Sequence, residues 1–217
     1  MKKLAVLLAM GVFLTTTAYA DTFYLHGVNY PDITTTVNFS YNPADYTVSI
    51  DLTNTSSIAS SLTSFAFNVP TNVTGVSAFS GPNSGWDYFF DRDGIDTPGQ
   101  FGLFDIGAGT GPNFNGGSPN YGIWNTPPDN FGSFSLVLQG SDLGSLTTAS
   151  FLSLLSDLDD KKGDPQYFIA RYQAVGPDGE GSDVAIPNGV VPEPSTFVLL
   201  ATGIAGVAFL SRRKKSA

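Results

Sequence analysis

The chain has no cysteine and a single histidine, His26, among its 217 residues. The first absence excludes disulfides, thiol nucleophiles and zinc-thiolate sites. The second leaves no histidine cluster for a catalytic metal, which needs several convergent ligands. Positive charge is also scarce. Ten Lys and Arg stand against nineteen Asp and Glu, and six of the ten lie near the two ends. Between residues 21 and 190 only Arg92, Lys161, Lys162 and Arg171 are cationic against eighteen acids, a balance of −14. Such a field repels nucleic acid and excludes it as a partner. Long apolar runs are missing too. Leu4 to Leu14 reaches about 16 Å as a helix and Phe197 to Leu210 about 21 Å, both short of a hydrocarbon core roughly 30 Å thick.

The two short runs nevertheless carry addresses. Lys2 and Lys3 precede the first, and Ala18 and Ala20 supply small residues where a signal peptidase reads. This is the layout of a secretory signal peptide over residues 1–20, cleaved after Ala20. The second run is uncharged, has no polar stripe, and is followed by Arg212, Arg213, Lys214 and Lys215. That order predicts a single transmembrane helix over 197–211 held in lipid by the positive-inside rule, its flanks lengthening the span. Ahead of it, Pro192 and Pro194 restrict Val191 to Pro194 to an extended form, with Glu193 as the one charged handle.

The Pro-Glu-Pro step, the apolar run and the basic end, in that order, resemble the PEP-CTERM sorting signal of exported bacterial surface proteins. The resemblance covers residues 191–215, with the sorting segment at 192–215. It implies that an exosortase, a membrane protease, recognises Val191, Pro192, Glu193 and Pro194 and removes the tail. The implied partners are therefore an exosortase, a signal peptidase and membrane lipid, with the body of the protein outside the cytoplasmic membrane.

Residues 21–175 read as a mainly β domain, a β-sandwich or jelly-roll-like ectodomain with one short helix. Tyr46, Val48, Ile50 and Leu52 alternate with polar residues, and residues 33–54 read as a hairpin turning at Asn42 to Asp45. Further strands are expected around 65–69, 73–79, 86–90, 101–106, 121–124, 134–138 and 167–175. Phe151, Leu152, Leu154, Leu155 and Leu158 fit one helical face over 147–158, with Ser145 or Thr147 as cap. Residues 176–191, rich in Gly, Pro and acid, read as a stalk that holds at most one short strand at 183–186. The segments 65–70, 114–117 and 168–173 are similar to stretches of other exported proteins bearing this tail. That implies a shared architecture and no activity.

Three sets of residues are candidates for chemistry in the body. Asp91, Asp93 and Asp96 gather carboxylates around Gly94 and are a candidate Ca²⁺ loop, although the spacing is not that of an EF-hand. Trp86, Tyr88, Tyr121 and Trp124 lie in loop-rich sequence, where exposed rings stack on sugars and exopolysaccharide is the candidate ligand; filling a core is the competing use of the same rings. Asp87 with Asp105 is a possible acid pair for glycoside hydrolysis, marked by no motif. No residue is singled out as catalytic, and no cofactor beyond Ca²⁺ is suggested. The expectation is a non-enzymatic exported surface or matrix protein; the alternative is a carbohydrate-binding or weakly glycoside-hydrolysing extracellular module.

Overall fold

Alternating apolar and polar residues set the first three strands. β1 (Asp21–Gly27), β2 (Thr34–Asn42) and β3 (Thr47–Asn54) bury one face and leave mostly Thr, Ser and Asn, with Tyr24, His26 and Asp51, on the other. They belong to a computed structural model that describes residues 20–97, 100–158 and 163–188. The predicted hairpin forms as β2 and β3, with Asn42 opposite Thr47. Its turn is fixed by side-chain acceptors: Asn42 Oδ1 takes the Ala44 N–H at 3.1 Å and Asp45 Oδ1 the Thr47 N–H at 3.2 Å.

The remaining strands are β4 (Ser61–Phe67), β5 (Val73–Ser80), β6 (Asp87–Asp96), β7 (Leu103–Gly109), β8 (Ile123–Trp124), β9 (Phe131–Gly140), β10 (Phe168–Val175) and β11 (Gly181–Pro187). They join one antiparallel sheet in the order β5-β9-β3-β2-β1-β11-β10-β4-β7-β6, with the short β8 pairing β4 beside β7. The sheet folds over on itself. Phe65 of β4 meets Phe134 of β9 at 4.9 Å between ring centroids, and Phe39 of β2 meets Phe67 of β4 at 5.2 Å. Strands far apart in the sheet order thus pack face to face, and the mainly β, sandwich-like reading holds. The two edges also approach: Phe79 of β5 lies 5.8 Å from Tyr88 of β6, and Arg92 of β6 donates to the carbonyls of Val69, Pro70 and Val73.

Aromatic rings dominate the inner core, since each removes a large apolar area from water. A second, smaller cluster of Ala66, Ile95, Phe101, Phe104, Phe114, Ile169 and Val184 lies outside it. β4 contributes to both, which is why all seven of its residues are buried and its alternation is lost.

Three expectations need correction. The helix is not 147–158: α1 spans Thr148–Leu152, capped by Thr147, whose N–H is taken by Ser150 Oγ at 3.0 Å. It stops because the following residues pair elsewhere, Asp157 with Leu103 and Ser156 with Gln166. The stalk does not begin at 176. β11 is an inner strand between β1 and β10, so the domain continues to Pro187 and the Asn188 N–H bonds the Tyr24 carbonyl. Asp91 to Asp96 is not a free loop either. It belongs to β6, where residues 91–94 bulge opposite Asp105 alone between the pairs Phe90–Ile106 and Ile95–Phe104.

Candidate functional site

Val191 to Pro194, Arg212 to Lys215, Ala18 and the 197–211 helix lie outside the described residues, and among the described residues no helix is long and apolar enough to cross a membrane. Ala20 is described: it is exposed and immediately precedes β1.

The bulge in β6 is built around Asp105, which is 3% exposed. Its Oδ1 accepts the Asp93 N–H at 2.8 Å and its Oδ2 the Val69 N–H at 3.0 Å, with Arg92 Nη1 3.6 Å away. Those bonds make Asp105 a brace between β6, β7 and the turn before β5. Asp91 folds across Gly94, where a Cβ would sit 2.3 Å from its carboxyl carbon. Burial, then the charges of Asp105 and Asp157, push the Asp93 carboxyl above its usual range, and Arg92 offsets part of this. Among the described residues no three His, Cys, Asp or Glu side chains form a group able to hold a metal ion. Asp91, Asp93 and Asp96 are therefore not brought together as a ligand set.

The acid pair is not assembled. Asp87 pairs Gly109, four residues along β7 from Asp105, a separation of about 13 Å that exceeds the reach of a hydrolytic pair. The aromatic set divides. Trp86 is 5% exposed and belongs to the core, its Nε1–H donating to the Tyr121 carbonyl at 2.7 Å. Tyr88 packs on Phe79, Trp124 is half-buried in β8, and Tyr121, 51% exposed, covers the Gly85 backbone.

A cleft that the sequence does not announce lies over β10 and β11. Its volume is about 340 Å³, and its lining includes Val28, Asn29, Gln100, Phe101, Arg171, Ser182, Asp183 and Val184. Asp183 is 2% exposed and saturated. Its Oδ1 accepts from Asn29 N, Asn29 Nδ2 and Val184 N at 3.1, 2.9 and 2.8 Å, and its Oδ2 from Tyr30 N at 2.9 Å. Arg171 is different. It is half-buried, and burial lowers its affinity for the proton, which the charge of Asp183 partly restores. Its Nε is buried with no hydrogen-bond partner. The available signal was a lone Arg inside the apolar strand Phe168-Ile169-Ala170-Arg171-Tyr172.

Against known families, the PEP-CTERM protein-sorting motif matches residues 190–214, beginning three residues after β11 ends. No curated protein and no solved structure matches the chain. The chain carries that motif, which marks a surface protein sorted through processing by exosortase, a membrane protein.

Proposed function

We propose that this is an exported bacterial surface or extracellular-matrix protein with a non-enzymatic β-sandwich body. A signal peptidase releases its N-terminus after Ala20, and the apolar segment 197–211 holds it in the cytoplasmic membrane as a single pass. Exosortase then removes the tail at Val191 to Pro194. The observation that carries this reading is the sorting motif at 190–214, set directly behind the last strand of a folded domain. Asp105 and Asp183 spend their buried carboxylate oxygens on backbone N–H groups and so act as braces.

Mass spectrometry of the protein from its own cells tests the proposal. The wild type is expected at the surface with Asp21 as its first residue and its C-terminus between 188 and 195. Glu193→Ala and Pro194→Ala are expected to accumulate in the membrane fraction with the tail intact. Unprocessed wild-type chain dissolved in the cytosol would overturn the reading.

A further inference from the structure

We infer that the cleft over β10 and β11 is a binding site for a small carboxylate, held by the Arg171 guanidinium. The inference is independent of the sorting reading, because it rests on Arg171 and its surroundings alone.

Two arginines lie among the described residues, and they are treated differently by the fold. Arg92 is fully engaged, with Asp105 beside it and three backbone carbonyls as acceptors. Arg171 has no hydrogen-bond or ion-pair acceptor among the described residues, although Asp183 lines the same cleft. Asp183 is committed to the turn after β1, where it holds the N–H groups of Asn29 and Tyr30. It tempers the local field without pairing with the guanidinium. A cation half-withdrawn from water and left unpaired is costly, and an incoming anion relieves that cost.

The surroundings select among anions. The Nε side is closed by the Gly116 backbone and the Gln173 amide: a Cβ on Gly116 would lie 2.2 Å from Gln173 Nε2 and 3.5 Å from Arg171 Nε. The terminal N–H groups are left for the cleft, and their planar fork matches a carboxylate in two-pronged fashion. A doubly charged phosphate is opposed by Asp183 and by the acidic domain as a whole, whereas one negative charge is balanced by Arg171. Asn29, Gln100 and Ser182 add amide and hydroxyl groups, and Val28, Phe101 and Val184 add an apolar wall. A volume of about 340 Å³ is at the lower end for small-molecule sites and suits one acidic sugar unit better than a larger ligand.

Calorimetric titration of the full chain in detergent tests this, with glucuronate as probe. Glucose, glucuronate methyl ester and inorganic phosphate serve as controls. Glucuronate is expected to bind, with affinity falling as salt rises, and the neutral ester at least about tenfold more weakly. Arg171→Met should lose at least about tenfold, and Arg171→Lys, which keeps the charge but not the fork, should recover part of it. Because an Arg171 variant that unfolds would mislead, each is checked by its thermal midpoint. Ser182→Trp, at an exposed position of β11, blocks the cleft without touching Arg171 and should also abolish binding. An oligoglucuronate that binds tighter than the monomer identifies a polymer end or unit as the source; equal affinity identifies a free acid. Equal binding of glucose or the ester, tighter binding of phosphate, unchanged binding by a folded Arg171→Met, or no heat at roughly 10 mM glucuronate would each overturn the assignment.

Discussion

Gly27 shows how much of this fold rests on single positions. A Cβ there would lie 2.3 Å from the Tyr30 carbonyl oxygen and 2.6 Å from Asp183 Oδ2, so the turn after β1 closes only over a residue without a side chain. Gly27→Ala is expected to destabilise the protein by about 2 kcal/mol, through overpacking and loss of the Asp183 bonds. Urea denaturation would measure it, and an unchanged midpoint would show that the turn relaxes freely. At this scale the sequence was only partly legible. A lone Arg in an apolar strand marks Arg171, but neither its isolation nor the saturation of Asp183 follows from local sequence, because both depend on β10, β11 and the 28–30 turn meeting in space. Trp86 sits in loop-rich sequence yet belongs to the core, since burial of a large ring outweighs the irregular backbone around it.

Strands with one wet face were legible, as were the apolar β4 and β10, whereas the strand with little apolar content was not. β2, β3 and β9 alternate cleanly, as their half-buried faces require. β11 does not: Gly181, Ser182 and Asp183 open it, and the small Ala185 fills its inner side. Composition therefore made it look like a stalk, while its backbone pairs on both edges with β1 and β10. A chain ending after Asn188 is expected to unfold cooperatively. One ending after Val175 should be aggregated or molten, because two long strand edges lose their shared partner. Circular dichroism and gel filtration distinguish the two; a monomeric, cooperative product from the shorter chain would return β11 to the linker. The α1 helix is short for a related reason. Leu154 and Leu155 continue the helical period, but the tertiary pairs Ser156–Gln166 and Asp157–Leu103 claim the backbone beyond Ser153.

The whole molecule records its burial of polar aromatics in its response to alkali. Burial pushes the Tyr41 and Tyr167 hydroxyls up to about 12, with Tyr46 and Asp45 adding to the effect at Tyr41. Burial also raises Tyr172, which Asp183 reinforces and the bond to Thr35 opposes. The folded state keeps these protons where the unfolded chain, with a tyrosine value of 10.0, releases them. Their contribution is complete below about pH 10 and is lost as pH rises toward 12 and beyond. Unfolding free energies measured by urea across that interval should fall steadily; a flat profile would mean that the three hydroxyls reach solvent. Topology adds a consequence for how the exported body stands. Leu25 pairs Pro187 and Asn188 bonds Tyr24, so Ala20 and Asn188 point toward the same end of the sandwich, about four residues apart along β1. In the proposed topology residues 188–196 separate the last strand from the apolar segment, a leash of about 30 Å at full stretch. Until the tail is removed, that leash would keep the body within about 30 Å of the lipid headgroups. In that topology the rim formed by residues 28–33, 55–60 and 110–130, at the end of the sandwich away from Ala20, would face outward.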